Sequence, residues 1–430
     1  MSLIIKKKSS NTANVVDDVD LDNITVQGET MVEAKKEVAK VVSWRLGILG
    51  LGHAGSRIAE SFYKLGYKAI AMNTATQDLV HIGLPEDCKL FLDTGMQGAA
   101  KDLTRGEEAA ITYKEQIFDL INDKLSDAQI LVICSSAGGG SGAGSLPIIV
   151  DICQQIGKPI ILMSILPMVS EDVKTKSNSL ETIAKLASYV KEGRAHSFIL
   201  IDNARIEAIN ADVGQMEFYK VANKAIVEPL DVFNTYSMYP SEVKPLDSTE
   251  LATILLNGNG ISTYGQIIIS DYEETETLGE ALVASLQENL LASGLDYKQA
   301  KYVGYMIIAN KNVWKKISAL SVNYVGSLIS EIFETPEAIF RGIYESNDEE
   351  DVVKIYTFVS GLGMPDERIK LLKEDVETKQ KALQIKAVDR MKNLTVDIGK
   401  NSTVSDVDKL KSKIASKMSG VGKLTSLLKK

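Results

Sequence analysis

The sequence predicts an α/β protein: a Rossmann-like parallel-sheet domain, a long central helix, a second and smaller α/β domain, then a C-terminal helix and a basic tail. Three observations carry that prediction. Short runs of β-branched and aliphatic residues alternate with stretches of helical periodicity. Several of those runs lead straight into glycine-rich segments, the pattern of strand–loop–helix units in a parallel sheet. After a helix-rich interval that opens near Gly214, the alternation of strand and helix begins again at about residue 262. With 430 residues there is room for two domains and ample core, and 45% hydrophobic with 24% charged residues is an ordinary globular balance.

Composition removes several classes of function. No uncharged apolar run reaches the roughly 18 residues of a membrane span. The opening Met1-Ser2-Leu3-Ile4-Ile5-Lys6-Lys7-Lys8 places its charge after a very short apolar run, unlike a secretory signal. Cys88, Cys134 and Cys153 are scattered and odd in number, which fits free thiols in a reducing cytoplasm better than disulfides or metal. His53, His81 and His196 are equally scattered, so no zinc constellation is expected. The net charge of −9 hides a basic tail: residues 409–430 hold seven lysines and no acid. Such a tail either solvates or meets an acidic partner.

Residues 1 to about 30 are polar and aperiodic and read as a disordered arm. Met31 to Val42 reads as a short amphipathic helix. Trp44–Leu49 is a strand followed by Gly50-Leu51-Gly52-His53-Ala54-Gly55, and Ser56–Leu65 is a helix capped by Gly66. With the next strand, Lys68–Thr74, this is a βαβ unit carrying G-x-G-x-x-G, the dinucleotide fingerprint. Two details argue against NAD: Asn73 or Thr74 stands where the ribose-binding acid is expected, and a second glycine-rich loop follows on a later strand. No G-x-x-x-x-G-K-[ST] occurs, which excludes a P-loop NTPase.

Leu90–Leu92 is a short strand leading to Asp93–Lys101, a small-residue loop with Gly98, Ala99 and Ala100, and a helix spans about 105–125. The strand Ile130–Cys134 then enters Ser135-Ser136-Ala137-Gly138-Gly139-Gly140-Ser141-Gly142-Ala143-Gly144-Ser145. A helix restarts at Leu146 with Pro147 in its first turn. A loop with so few Cβ atoms lets backbone amides approach an anion, and the helix N-terminus behind it adds positive partial charge. The bland alternative is a flexible surface loop. Three such loops leave strands at one edge of a sheet, where one long mononucleotide would use them all.

Further strands are expected at Pro159–Leu166 and Ser197–Asp202, with a helix over 171–190 between them. A long helix from Gly214 to Asn234 should be kinked or broken at Pro229. Pro245 to Leu251 opens a new helix with Asp247 and Glu250 on one face; such acids favour a helix N-terminus with no catalysis at all. Strands follow at Tyr264–Ser270, Lys301–Ala309 and Val352–Gly361. A charged helix from Pro365 to about Leu394 carries an apolar seam at Ile369, Leu372, Val376, Leu383 and Met391. The expected division is an arm and short helix (1–43), a nucleotide-binding domain (44–213), a central helix with acidic loop (214–261), a second α/β domain (262–365), the C-terminal helix (366–394) and a basic flexible tail (395–430).

With these residues in place the chain resembles the tubulin/FtsZ superfamily, and most of all its TubZ branch of plasmids and phages. Ser136 to Ser145 is similar to the superfamily's G-G-G-T-G-[ST]-G signature, with Ser141 where threonine is usual. Gly50–Gly55 and Asn73-Thr74 resemble its first two nucleotide loops. Ile201-Asp202-Asn203-Ala204-Arg205 and Glu349–Tyr356 followed by Gly361-Leu362 look TubZ-like. The resemblance spans roughly residues 44–375.

That resemblance implies a GTPase domain that binds GTP or GDP, head-to-tail homopolymer filaments, and GTP hydrolysis completed across the subunit junction. Nucleotide would be held by Gly50, Leu51, Gly52, His53, Gly55, Ser56, Asn73, Thr74, Gly98, Ala99, Ala100, Ala137, Gly138, Gly139, Gly140, Ser141 and Gly142. Guanine would meet Asn203 and Asn223 with Tyr219 stacking, and Glu171 would sit near the ribose. Asp247 and Glu250 would position the attacking water, since phosphoryl transfer needs placement and charge more than covalent help. FtsZ carries asparagine two places before the first acid, where this chain has Pro245. Magnesium is expected on the phosphates, mostly through water, with no protein metal cage. Relatives move plasmid or phage DNA through an adaptor, so an adaptor or DNA is the expected partner of the basic tail, and no membrane is. The rival readings are an FtsZ-like division protein, an NAD-dependent oxidoreductase resting on Gly50–Gly55, and a homologue that binds nucleotide without turning it over.

Overall fold

The structure is a computed structural model that describes residues 40–286 and 291–393. The expected arm, the basic tail and most of the helix expected at 31–42 lie outside the described residues. Residues 40–42, the end of that helix, are not helical. The chain divides into two compact units, one running to Val376 and the other from Glu377.

The first unit opens with β1 (Leu46–Leu51), α1 (Gly52–Lys64), β2 (Lys68–Asn73), α2 (Thr76–Val80) and β3 (Lys89–Phe91). Then come α3 (Leu103–Thr112), α4 (Lys114–Lys124), β4 (Ile130–Ser136), α5 (Gly140–Ile156), β5 (Ile160–Leu166), α6 (Val173–Lys191) and β6 (Ser197–Asp202). After α7 (Asn203–Ile209), the central helix α8 (Gln215–Tyr236) and α9 (Ser248–Leu256), the order is β7 (Ile261–Ile269), α10 (Thr277–Ala284), β8 (Tyr302–Asn310), α11 (Lys311–Trp314), α12 (Ala319–Ile332), β9 (Ala338–Ser346) and β10 (Val353–Leu362). The last helix, α13 (Asp366–Asn393), starts in the first unit and ends in the second.

The ten strands among the described residues form one sheet in the order β3-β2-β1-β4-β5-β6-β7-β10-β8-β9. Strands β1 to β6 run parallel, and β7 joins β6 through two registered pairs, Phe198 with Ile261 and Ile199 with Ser262. Strand β10 is antiparallel to both β7 and β8, and β9 lies parallel to β8. The second α/β region therefore continues the first region's sheet. The central strands are apolar at nearly every position because both faces are covered. Leu131 and Ile133 of β4 enter one core with Leu146, Ile149 and Ile152 of α5, while Ile130, Val132 and Cys134 enter the other with Ile58 and Phe62 of α1.

Several expectations need correction. The helix expected over 105–125 breaks at Tyr113 into α3 and α4. Helix α8 continues through Pro229, so of the kink or break expected there the break does not occur, although proline removes one rung of its ladder. Its buried stripe of Ala222, Ile226, Val227, Leu230 and Phe233 holds it, and the buried Tyr264 hydroxyl donates to the Ile226 carbonyl at 2.7 Å beside the missing rung. Strand β9 had no sequence expectation. The apolar seam of α13 is buried at Leu372 and Val376 but not at Leu383, which is 51% exposed, because Lys, Gln and Glu dominate the turns around it.

Helix α13 is tied to the carboxyl ends of β5 and β6. Arg368 donates to both carboxylate oxygens of Asp202, at 2.6 and 3.1 Å, and to the Pro167 carbonyl at 2.8 Å. Lys176, wholly buried, pairs with Asp375.

Candidate functional site

The six parallel strands of the first region present their carboxyl ends along one edge, and the glycine motifs lie there. Neither motif is the loop that the sequence suggests. Gly50 and Leu51 belong to β1, and Gly52, at a φ of +68°, is the first residue of α1. Likewise α5 begins at Gly140, six residues before the expected Leu146, so that Pro147 is its eighth residue and not in its first turn.

Close backbone packing explains why glycines start these helices. A Cβ on Gly142 would lie 2.5 Å from the Leu51 carbonyl oxygen, and one on Gly144 would lie 2.3 Å from that of Leu103. One on Gly106, in α3, would come within 2.2 Å of the Gly140 carbonyl oxygen. The end of β1, α3 and the first turns of α1 and α5 therefore meet as bare backbone. Helices α3, α6, α7 and α9 are each capped by an aspartate side chain, but α1 and α5 have no side-chain cap. The first-turn amides of a helix have no partner within it and sit at its positive dipole end, the arrangement that receives an anion.

Cross-links fix the neighbouring segments to this edge. The Thr74 amide donates to Ser141 Oγ at 3.1 Å, and the Gly98 amide donates to the Thr74 carbonyl at 2.9 Å. Asn73, buried, donates to Asp78 at 2.9 Å, and His53 meets the other oxygen of Asp78 at 3.1 Å. The Ala137 amide donates to the Ile165 carbonyl of β5. Ala99 is buried; Ala100 and Lys101 are exposed, with φ of +47° and +60°. Gly55, Ser56 and Thr74 are buried, and the Ser56 and Thr74 hydroxyls have no hydrogen-bond partner among the described residues.

Asn203 is the first residue of α7 and half-buried, directly after β6. Tyr219 is 58% exposed, edge-on to Phe218, and Asn223 lies one helical turn further on the same face. Glu171 turns back on its own loop, where its carboxylate accepts from the Met168 amide at 3.2 Å. Sequence motifs gave no sign of Asn178, a buried mid-helix residue that donates to the carbonyls of Lys101 (2.8 Å) and Gly138 (3.2 Å). Nor did they single out Lys101 and Asp172, which pair side chain to side chain. Burial alone would raise the Asp172 pKa, but the Lys101 ammonium and two hydrogen bonds from Thr175 hold that carboxyl well below its usual range.

Asp247 and Glu250 are not at this edge. Asp247 caps α9, accepting from the Thr249 and Glu250 amides at 2.8 and 2.9 Å, and Glu250 accepts in return from the Asp247 amide at 3.2 Å. That reciprocal box is the structural role that a helix-opening acid pair can fill unaided. The loop before it is held from both sides. The buried Tyr344 hydroxyl accepts from the Leu246 amide (2.9 Å) and donates to its carbonyl (3.0 Å). Burial pushes this phenol up to about 12, the Leu246 hydrogen bond opposes that, and the Glu250 and Asp247 charges add to it. On the other side the Trp44 indole donates to the Ser248 carbonyl at 2.9 Å, and Ser43 Oγ lies 3.0 Å from Ser248 Oγ.

Trp44 and Ser43 precede β1, whereas Gly52 follows it. The acids and the bare-backbone edge are thus at opposite ends of one strand, on the order of 20 Å apart at about 3.3 Å per residue. One copy of the chain does not bring them together.

Comparison with known proteins matches two segments of the chain. Residues 45–211 match the GTPase domain of the tubulin/FtsZ family, and residues 232–373 match the C-terminal domain of TubZ-like proteins. The tubulin-like protein TubZ of Bacillus cereus is 26% identical over 374 residues, covering 80% of this chain and 85% of the relative. Among solved structures, a protofilament of Bacillus thuringiensis serovar israelensis TubZ in its GTPγS form aligns over 81% of this chain and 96% of its own, with a TM-score of 0.71 at 20% identity. A type III plasmid segregation TubZ aligns over 80% and 95%, with a TM-score of 0.67 at 19% identity. The chain belongs to the tubulin/FtsZ family, with a C-terminal domain of the TubZ-like kind.

Proposed function

We propose that this chain is a GTPase that polymerises head to tail and completes its hydrolytic site only at the junction between copies. The observation that carries the reading is the separation of the two half-sites: bare helix N-termini lie beyond one end of β1, and the acids Asp247 and Glu250 lie before the other. Stacking copies along that direction sets the acidic loop of one over the cradle of the next. Such a contact is heterologous, and repeated without closure it generates a filament.

In this reading the first-turn amides of α1 and α5 hold the phosphates, joined by the Gly98–Ala100 segment and Ser141. Asn203 and Asn223 pair with the guanine edge and Tyr219 covers its face, which fits the exposure of Tyr219 beside them. Glu171 serves the ribose once it leaves the Met168 amide. Asp247 and Glu250 position and polarise the attacking water on the neighbour's triphosphate. The described residues contain no group of three or more His, Cys, Asp or Glu side chains placed to hold a metal. Magnesium would be carried by the phosphates and water, where it would supply charge neutralisation. The biological task consistent with the TubZ relatives is segregation, positioning or replication of plasmid or phage DNA in a bacterial cytoplasm. There the Lys409–Lys430 tail would engage a DNA-binding adaptor or DNA itself. No helix among the described residues is long and apolar enough to cross a membrane.

The test is GTP turnover per subunit as a function of protein concentration. A split site gives almost none below an assembly threshold and a steep rise above it. Turnover per subunit that stays constant on dilution defeats the reading, and so does protein that holds no guanine nucleotide.

A further inference from the structure

Two short connections leave the neighbouring parallel strands β5 and β6. Strand β5 ends at Leu166 and runs into residues 167–172, which carry Glu171. Strand β6 ends at Asp202, and Asn203 follows at once as the first residue of α7. Leu166 is in register with Asp202, and the pairing of the two strands stops there. Beyond that point the connections need some other tie, and α13 supplies it.

Arg368, the third residue of α13, reaches into the crevice between the strand ends. Its guanidinium donates from Nε to Asp202 Oδ2 at 2.6 Å, and from Nη2 both to Asp202 Oδ1 at 3.1 Å and to the Pro167 carbonyl at 2.8 Å. The two side chains are 11% and 2% exposed, so the pair escapes the screening that weakens surface pairs. Asp202 passes the contact on: its Oδ1 also accepts from the Ala204 amide at 3.0 Å, capping the helix that Asn203 begins. Lys176 holds the other connection, donating to the Val169 carbonyl and pairing with Asp375, about two turns after Arg368 on α13. A planar fork is what lets one side chain serve a carboxylate and a carbonyl together; an ammonium is a point donor.

We propose that Arg368 is a positioning residue for base recognition, holding Asn203, through Asp202, where its amide reads guanine. The proposal rests on the guanine-nucleotide reading above. Its physical basis is geometric. Guanine and adenine differ in the donors and acceptors along their edges, and an amide tells them apart only while it stays within hydrogen-bond distance and angle. A helix of seven residues whose first turn stands on one carboxylate moves when that carboxylate moves.

The test is the ratio of GDP to ADP affinity in full-length protein, measured by displacement of a fluorescent guanine nucleotide below the assembly threshold. ADP carries the same ribose and phosphates, so damage to the cradle or the fold lowers both affinities and leaves the ratio. Arg368→Lys keeps a cation beside Asp202 but loses the fork, and the ratio is expected to fall by about tenfold, the scale of one hydrogen bond to the base. Asp202→Asn, which can still cap α7, should lower it by a similar factor. In an Asn203→Ala background Arg368→Lys should change the ratio by less than about twofold, because effects routed through one residue do not add. A ratio unchanged in both single variants overturns the positioning role, and so does a full effect of Arg368→Lys without Asn203. Wild-type protein with no preference for GDP over ADP takes down the guanine-nucleotide reading itself, a distinct result.

Discussion

Replacing Asp247 in two ways separates a helix cap from a catalyst. Its carboxylate already accepts two amides of α9, so Asp247→Ala strips the cap and the charge together. Loss of an N-cap costs about 1 kcal/mol, with a spread of about 0.5–2. The exposed Glu250 return bond stays, so the total for alanine should be near 1 kcal/mol. Asparagine caps as well as aspartate and forfeits only the charge–dipole attraction, about 0.5 kcal/mol. Urea unfolding midpoints should therefore order as wild type, Asp247→Asn, then Asp247→Ala. Phosphate release above the assembly threshold should not follow that order: both variants should fall by about a hundredfold or more if the carboxylate positions the water. Asp247→Asn that hydrolyses GTP at the wild-type rate per assembled subunit refutes the catalytic role and leaves only the cap.

Other consequences are as direct. Gly106→Ala would gain about 1 kcal/mol of helix propensity, but its Cβ meets the Gly140 carbonyl, so a net loss of about 1–2 kcal/mol in thermal or urea unfolding is expected, along with weaker nucleotide binding. Trp44→Phe keeps most of the bulk yet strands the Ser248 carbonyl; stability should fall by about 1 kcal/mol, and turnover per assembled subunit should drop while the assembly threshold holds. Arg368→Ala leaves the buried Asp202 without its guanidinium and should cost about 3 kcal/mol, read as a lowered thermal midpoint.

Much of this arrangement is legible in the sequence, and the failures have physical causes. Strand β6 runs over the expected Ser197–Asp202, because a short β-branched run closed by Asp-Asn leaves few alternatives. The acid pair reads as a helix start because Asp247-Ser248-Thr249-Glu250 has capping-box spacing. The glycines misled for one reason: glycine disfavours a helix by about 1 kcal/mol, so Gly140, Gly142 and Gly144 read as loop. Only in three dimensions do Leu51, Leu103 and Gly106 show that a side chain there would collide with backbone. Strand β9 escaped because Arg341-Gly342 interrupts its alternation and its first four residues are only half-buried. Asn178 and Lys101 lie in no motif. Their roles arise from contacts across 77 and 71 positions of chain, which local spacing does not encode.

Since packing and not ligand fixes the cradle amides, one substitution should close the site without harming the fold. Gly139 is the N-cap of α5, with φ −79° and ψ 149°, a conformation open to any residue. A Cβ there meets only Ser136 Oγ, at 3.0 Å. Gly139→Asp would give α5 the same carboxylate cap that α3, α6, α7 and α9 already carry, occupying the amides proposed to hold phosphate. Stability should hold or rise by a few tenths of a kcal/mol, while GTPγS and GDP affinities both fall by about tenfold or more. That variant also answers where the acids act. Gly139→Asp copies retain Asp247 and Glu250, and Asp247→Asn copies retain the cradle, so each is silent alone. Mixed in equal amounts and co-assembled at random, about a quarter of junctions should join an intact cradle to intact acids, because the contact is heterologous. Recovered GTP turnover in the mixture follows only if the two half-sites belong to different copies; co-sedimenting filaments with no turnover would place the acids' role, if any, within one chain.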